Sequence, residues 1–383
     1  MRLRGVGAAL VAAVVLVPAA PGAAASTVTW NVALDQIGDD DVNVAYARGG
    51  LTVAGESAQS ASVRSGRVSA YQITRRTTTA PVNRVRADVA AATPAGTAVI
   101  VEVRAELGPQ RWSEWTAVPA TLPDTTVLEV RITLDGPATV ESVRIIAERG
   151  EPLVRPFGLG DTYRIFATRV GLVGGATANG HVITSRDHFV ALPSRRGLAP
   201  KNTGDYTVRV CAAAGRCEWA PVWDVGPWNV TDDYWNPPSV RQSWTDLPQG
   251  KPEVQAAYQE GYNGGKDGYG RRVRNPAGID LADGTFWDGL RLTNNAWVDV
   301  TYLWTGTGLR GTVRTPGSTL TVRDGPRVDA SAVGMAANHA RLIIECQVAG
   351  DTVTYGTTNR WNRLAPGYFV SDAYVNTGSA PTC

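Results

Sequence analysis

The sequence predicts a mainly-β protein, because two patterns typical of strands recur along its 383 residues. Apolar and charged residues alternate in several segments, as where Val99, Val101 and Val103 interleave with Glu102 and Arg104. This period of two indicates half-buried strands. Further along, short apolar runs rich in valine and tryptophan end at glycine, proline or aspartate, as strands bounded by turns do. A chain of this length predicts about two or three domains.

The first 25 residues have the composition of a signal peptide. Arg2 and Arg4 precede an apolar run, and small residues at Ala23 to Ala25 offer a cleavage site. The rest of the chain has no apolar run long enough to span a membrane. We therefore expect export to an extracellular or cell-wall-associated location, without membrane attachment after cleavage.

Residues 27–149 predict an antiparallel β-sandwich, because alternating segments are separated by proline, glycine and aspartate. Trp112 and Trp115 lie in its middle, on either side of Ser113 and Glu114. Such a pair is either a packed turn or a platform on which a sugar can stack. The sandwich is thus a candidate carbohydrate-binding domain.

Four motifs then follow in a fixed order. They are GGATANG at 174–180 with VALPS at 190–194, PVWDVGPWN at 221–229, GIDLADGTFWDGL at 278–290, and WVDVTYLW at 297–304. Their order resembles that of the double-psi β-barrel family, which includes rare lipoprotein A-type and MltA-type lytic transglycosylases, expansins and family-45 endoglucanases. The resemblance implies a six-stranded double-psi β-barrel over residues 155–306.

Two aspartates of these motifs are the candidate catalytic residues. Asp224 lies between Trp223 and Val225, whose apolar side chains would disfavour its charged form if the site is buried. A carboxyl group of that kind suits general acid catalysis. Asp280 is either a second catalytic carboxylate or the N-cap of a following helix. Asp187 and His188 lie near the positions where transglycosylases of this family carry an aspartate and a histidine.

An insertion at 230–277 interrupts the predicted barrel and is rich in aromatic and acidic residues. Long insertions in compact domains often form walls or lids of functional sites. Rings can stack on sugar faces, and carboxylates can bind hydroxyl groups. The predicted substrate-binding residues lie in the insertion, in the barrel motifs and between the first two motifs, and they are Asp187, His188, Trp223, Trp228, Asp232, Asp233, Trp235 and Trp287.

Residues 310–383 carry a second family pattern. LTVRDGP at 320–326, ASAVG at 330–334 and PGYFVSDAYV at 366–375 resemble the opening and closing strands of bacterial SH3-like domains. The resemblance implies a small barrel that holds an exported enzyme on peptidoglycan. The aromatic residues that could form a wall-binding groove, or else fill the core of the small barrel, are Tyr355, Trp361, Tyr368 and Tyr374.

The four cysteines predict two disulfides in an oxidising compartment. Cys211 and Cys217 bracket a turn-like loop, whereas Cys346 and Cys383 both belong to the C-terminal region. We expect each pair to close within its own region. Their spacing does not suit zinc, so the sequence predicts neither a metal site nor a cofactor.

Charge and motifs narrow the function further. The net charge of +2 gives no indication of a nucleic-acid surface, and the motifs of serine hydrolases, zinc peptidases and phosphate loops are absent. We expect a monomeric, secreted muramidase or lytic transglycosylase that acts on peptidoglycan or a related β-1,4-linked polysaccharide. The alternative is a non-hydrolytic, expansin-like or purely polysaccharide-binding protein.

Overall fold

The computed structural model describes residues 27–54, 70–150, 160–317 and 319–383, and it confirms a mainly-β fold. The predicted signal peptide at 1–25 lies outside these residues. Within them, no helix is both long and apolar enough to cross a membrane.

The N-terminal region is a nine-stranded, wholly antiparallel sheet. The long strand β4 pairs with β8 along its first half and with β9 along its second, so the sheet bends around one apolar core. Its strands are Val28–Asn31 (β1), Val44–Ala47 (β2), Gly50–Val53 (β3), Ala70–Ala92 (β4), Ala98–Gly108 (β5), Arg111–Trp112 (β6), Thr116–Ala117 (β7), Ala120–Asp135 (β8) and Thr139–Glu148 (β9).

The central region is a closed six-stranded barrel with mixed strand directions. Hydrogen bonds run around it in the order β11, β14, β10, β15, β12 and β13, and β13 pairs again with β11 to close the circle. The β10–β14 and β11–β13 pairs are parallel and the other four are antiparallel. The strands are Thr162–Arg169 (β10), Val190–Leu192 (β11), Thr207–Cys211 (β12), Cys217–Val225 (β13), Ala277–Leu281 (β14) and Ala296–Tyr302 (β15).

Side-chain alternation explains why these segments close into a barrel. On β15, Val298, Val300 and Tyr302 are fully buried, whereas Asp299 between them is exposed. On β14, Ile279 and Leu281 belong to the same core. Since successive side chains of a strand point to opposite faces, one face of each strand fills the barrel interior and the other faces outward.

The insertion between β13 and β14 is ordered and contains one regular helix, Glu253–Glu260 (α1). Pro252 precedes the helix, where its missing N–H costs nothing. Gly261 ends it in the left-handed conformation that glycine adopts without a steric penalty. The other short helical segments are 3-10 turns at Arg195–Gly197, Tyr262–Gly265, Leu303–Thr305 and Asp372–Tyr374 and a π-helical turn at Thr285–Gly289.

Seven further strands make up the C-terminal region. They are joined to the barrel by main-chain hydrogen bonds, because β18 pairs in parallel with the first residues of β13. The barrel and these strands therefore form one continuous sheet. The strands are Leu309–Val313 (β16), Thr319–Arg323 (β17), Ala332–Ala337 (β18), Arg341–Val353 (β19), Thr358–Leu364 (β20), Phe369–Ser371 (β21) and Val375–Asn376 (β22).

Both predicted disulfides are confirmed. Cys211 and Cys217 are bonded across the hairpin between β12 and β13. Cys346 and Cys383 are bonded within the C-terminal region, and this second bridge closes a segment with a sequence separation of 37. The bridge fixes Cys383 to β19.

The loop that carries Trp112 and Trp115 packs against the barrel. Both rings are buried, and the Arg104 guanidinium lies 4.4 Å and 4.5 Å from their centroids. Between them, the Glu114 carboxylate accepts hydrogen bonds from the indole N–H groups of Trp235 and Trp304, at 2.6 Å and 2.7 Å. Of the two interpretations of this pair, the packed turn holds, and no face of either ring is left for a sugar.

Candidate functional site

The barrel places the two predicted catalytic aspartates in one row. Asp224 on β13 and Asp280 on β14 both lie opposite Ala191, which belongs to the strand between them. Thr168 on β10 extends the row, since it lies opposite Asp280. Neighbouring strands are about 4.8 Å apart, so the two aspartate backbones are roughly 9–10 Å apart. The residue between them, Ala191, has a small side chain and is almost completely buried, as are both aspartates.

Asp280 points away from the barrel interior. Its neighbours Ile279 and Leu281 both belong to the central core, so alternation turns the Asp280 side chain to the outer face. The Thr168 hydroxyl donates a hydrogen bond to Asp280 Oδ1. The next helical turn begins at Thr285 with Gly284 as its N-cap residue. Asp280 is therefore a strand residue and does not occupy the N-cap position that the sequence also allowed.

Asp224 has the environment of a carboxyl group that can hold a proton near neutral pH. Only 2% of the residue is exposed. Its Oδ1 accepts two backbone hydrogen bonds, from Ala178 N at 2.8 Å and from Val225 N at 2.9 Å. Burial raises the pKa of Asp224 to about 7, the negative charge of Asp280 adds to this rise, and the two N–H donors oppose it.

The two oxygens of Asp224 differ in their surroundings. Both backbone donors converge on Oδ1, and within the described residues Asp224 forms no ion pair and no hydrogen bond through Oδ2. A proton on this carboxyl group therefore belongs on Oδ2, because Oδ1 is already an acceptor for two N–H groups. Asp224 thus combines a raised pKa with an oxygen that accepts no hydrogen bond from the described residues, in a position that is almost completely buried.

Asp187 and His188 are neighbours in sequence but take part in separate contacts. Asp187 accepts hydrogen bonds from His181 Nε2 at 2.7 Å and from Thr184 N at 2.6 Å. Burial would raise the pKa of Asp187, but the hydrogen bonds from His181 and Thr184 outweigh burial and lower it. Asp187 thus pairs with His181, which directly follows the GGATANG motif and was not among the predicted site residues.

His188 is buried and bonded to a carboxylate inside the barrel. Its Nδ1 lies 3.0 Å from Glu218 Oε1, which also accepts a hydrogen bond from Thr285 Oγ1 at 3.0 Å. Burial would lower the pKa of His188, but the hydrogen bond and the charge of Glu218 outweigh burial and raise it. Glu218 on β13 therefore contacts both the segment that precedes β11, through His188, and the helical turn that follows β14, through Thr285.

Trp223 packs in an aromatic cluster beside Asp224. Its ring centroid lies 4.7 Å from that of His181 and 5.9 Å from that of Phe189. Its indole N–H donates to Thr203 O at 2.8 Å. Most of the Trp223 surface is buried, so its main contact is with the protein.

The acidic residues of the insertion stabilise the insertion itself. Asp232 is fully buried, pairs with Arg241, and accepts the first N–H of α1 from Glu253. Asp233 is also fully buried and pairs with Arg196 at 2.6 Å. Trp235 stacks on the Tyr302 ring inside the core. These three predicted substrate-binding side chains are enclosed by protein, so they cannot contact a sugar in this conformation.

Trp228 and Trp287 retain exposed surface. The Trp228 indole N–H donates to Asn275 Oδ1 at 3.2 Å, and the ring packs on the small cluster beneath α1. Trp287 is 39% exposed, with the guanidinium carbons of Arg169 and Arg186 at 4.6 Å and 4.7 Å from its ring. Of the predicted substrate-binding residues, these two are the best placed to meet a ligand.

The C-terminal aromatic residues fall into two groups. Tyr355 and Tyr374 are stacked with centroids 4.8 Å apart, and Tyr355 is 53% exposed. Trp361 is buried and donates to Asp351 O at 2.9 Å, and Tyr368 packs against the regional core. The tyrosine pair can present the exposed Tyr355 ring to a ligand, whereas Trp361 is buried.

The described residues contain no group of three or more histidine, cysteine or acidic side chains that could hold a metal ion. Residues 161–301, which contain the whole barrel row, match a family described as a domain of unknown function (DUF8814). No curated protein matches the chain.

Proposed function

We propose that this protein is a secreted glycan-cleaving enzyme of the double-psi β-barrel type, a muramidase or lytic transglycosylase acting on the β-1,4 bonds of peptidoglycan. The observation that carries the proposal is the Asp224–Ala191–Asp280 row on the outer face of a closed six-stranded mixed barrel. Asp224, with a pKa raised to about 7, would protonate the glycosidic oxygen.

Asp280 supplies the second carboxylate of the proposal. Glycoside hydrolysis normally uses a carboxylic acid and a carboxylate, and environments that separate their pKa values assign the two roles. In a lytic transglycosylase, a hydroxyl of the substrate attacks instead of water, and one acid is then sufficient. Asp280 would activate water in the first case and stabilise developing positive charge on the sugar in the second.

The C-terminal strands support a role in wall attachment. Their sequence resembles bacterial SH3-like domains, and the stacked pair of Tyr355 and Tyr374 presents an aromatic surface. A flat ring gives a sugar or peptide apolar contact at low entropic cost. Substitution of both tyrosines by alanine should weaken retention of the full chain on sacculi, whereas substitution of the exposed Tyr46 in the N-terminal region should not.

The proposal is tested by digestion of purified sacculi with the mature protein. New reducing ends identify a hydrolase, and 1,6-anhydro ends identify a lytic transglycosylase. Asp224→Asn should reduce the rate by about 10²–10⁴, because it removes the transferable proton while keeping the shape. Asp280→Asn should reduce it comparably if both carboxylates act. Asp299→Asn, at an exposed barrel position, is the matched control.

A non-hydrolytic, expansin-like or purely binding protein is the second candidate. The near-complete burial of Asp224 and Asp280, at 2% and 3% exposure, favours it, because a polymer must reach a catalytic acid directly. Binding to sacculi without any new chain ends in the wild-type digest would establish this alternative and overturn the enzymatic proposal.

A further inference from the structure

We propose that Asn179 is a positioning residue for Asp224: it holds the turn that aims Ala178 N–H at Asp224 Oδ1 and thereby leaves Oδ2 as the proton-carrying oxygen. The kinetic part of this inference rests on the proposed function, whereas the structural part does not. Asn179 is absent from the candidate residues that the sequence suggested.

The side chain of Asn179 is fully buried and uses both ends of its amide. Its Oδ1 accepts hydrogen bonds from Thr177 Oγ1 at 2.7 Å and from His181 N at 3.2 Å. Its Nδ2 donates to Ala199 O at 3.1 Å. The amide therefore joins both ends of the 177–181 turn to the segment that follows β11.

The backbone of Asn179 connects the same turn to the catalytic strand. Asn179 N donates to Trp223 O at 3.2 Å, directly before Asp224 in the chain. The preceding residue, Ala178, then donates its N–H to Asp224 Oδ1. Two consecutive N–H groups of the turn thus bind two consecutive residues of β13. A shift of the turn would move the donor away from the carboxylate.

The N-terminal sheet presses on this turn from the other side. Val42 side-chain atoms would lie 3.1 Å from a methyl group added at Gly180, whose φ of +83° also disfavours any other residue. Tyr71 OH lies 3.5 Å from Asn179 O. The turn is therefore enclosed between β4 and β13, and Asn179 is the residue that bonds to its surroundings through both side chain and backbone.

Only an amide of this length meets these requirements. Ionised aspartate cannot donate to Ala199 O and would add a negative charge near Asp224. Alanine would remove the acceptor that Thr177 Oγ1 and His181 N share and leave them only their contacts with each other and with His181 O. Loss of the Ala178 N–H contact removes a donor that favours the ionised carboxylate, so the pKa of Asp224 must rise further. A role limited to general stability would leave this pKa unchanged.

The test is a carbon-13 NMR titration of the full mature chain labelled at aspartate carboxyl carbons. The Asp224 signal is identified by its loss in Asp224→Asn. In Asn179→Ala the pKa of Asp224 should rise by roughly one unit, the size expected for loss of one hydrogen bond to a charged group. Thr177→Val removes the bond to Asn179 Oδ1 and two contacts with His181 within the turn but keeps the bonds of Asn179 to Ala199 and Trp223, so it should shift the pKa less, and it serves if Asn179→Ala does not fold. Asn362→Ala, at a fully buried asparagine in β20, should not shift it.

The kinetic arm measures the pH profile of sacculus cleavage. The alkaline limb of Asn179→Ala should move to higher pH together with the pKa of Asp224, and the maximal rate should fall. If a folded Asn179→Ala or Thr177→Val protein leaves Asp224 titrating as in the wild type, this inference is wrong even when cleavage is observed. If the pKa shifts but no variant, including the wild type, cleaves sacculi, the positioning role stands and the proposed function fails.

Discussion

Two buried aspartates in this molecule differ in the charges that surround them. At the seam between the N-terminal sheet, the barrel and the C-terminal strands, Asp205 lies between Arg104 and Arg341, at 2.6 Å and 2.5 Å. Burial would raise the pKa of Asp205, but the two arginines outweigh burial and lower it. On the outer face of the barrel, Asp224 is as deeply buried, but its pKa is raised to about 7.

The two aspartates differ in their counter-charges, although burial also raises the pKa of other carboxyl groups, Asp232 to about 6 and Glu253 to about 7. A buried charge with matched counter-charges holds elements in register, and its removal leaves its partners unpaired. A buried carboxyl group held only by N–H donors costs stability when it ionises, and proteins tend to retain such groups where a proton must be exchanged. The motif drew attention to Asp224, but the sequence did not reveal the pairing of Asp205, because Arg104 and Arg341 are distant from it along the chain.

Replacing Asp205 at the seam by asparagine should have the largest effect on stability. Asp205→Asn leaves Arg104 and Arg341 without their shared carboxylate, so the free energy of unfolding should fall by about 3–5 kcal/mol. Urea denaturation measures the change. Asp299→Asn disrupts an exposed pair with Arg164 and should cost less than about 1 kcal/mol. Equal effects of the two variants would contradict the distinction between buried and exposed pairs.

At the site, replacing Asp224 by asparagine should have the opposite effect and preserve stability as pH rises. The raised pKa of Asp224 means that the wild type loses stability as pH rises from the unfolded-state value near 4 through about 7. Between about pH 5 and pH 8, the wild type should lose roughly 2–3 kcal/mol that Asp224→Asn retains. Thermal melting at both pH values checks this. If the Asp224→Asn protein lost as much stability between these pH values as the wild type, the pKa of Asp224 would not be raised in the folded state.

His188 and Glu218 offer a smaller test within the barrel. Because the folded-state pKa of His188 is raised, the stability it contributes is fully present below the unfolded-state value of about 6.5 and is lost as pH rises through the folded-state pKa. In the Asp224→Asn protein, which keeps Glu218, the melting temperature should decline as pH rises across this range. In Glu218→Gln the decline should vanish, and an unchanged decline would assign it to another group.

Much of the fold could be predicted from the sequence because its signals are local. Alternation identifies strands such as Ala98–Gly108, and the segment between Cys211 and Cys217 is short enough to indicate a bridged hairpin. The order of the barrel motifs also placed Asp224 and Asp280 at strand positions. Both lie opposite Ala191, a register that the motifs did not reveal.

The rest of the site depends on contacts between distant segments. Asp232, Asp233 and Trp235 have the composition of a glycan groove, but Arg241, Arg196 and Tyr302 enclose them. His181 was missed because its carboxylate partner, Asp187, adjoins the more conspicuous His188 in sequence. Asn179 belongs to the GGATANG motif, but the motif did not indicate its contacts, because these are bonds to the distant residues Ala199 and Trp223.

The pairing of β18 with β13 has a mechanical consequence. Only a short turn, Leu303–Thr305, and three further residues separate the last barrel strand from the first strand of the C-terminal region, and the sheet continues across the junction. The tyrosine pair and the aspartate row therefore do not reorient relative to each other as two domains joined by a flexible linker would. If Tyr355 and Tyr374 bind the wall as proposed, the aspartate row would be held at one fixed distance from the attachment point.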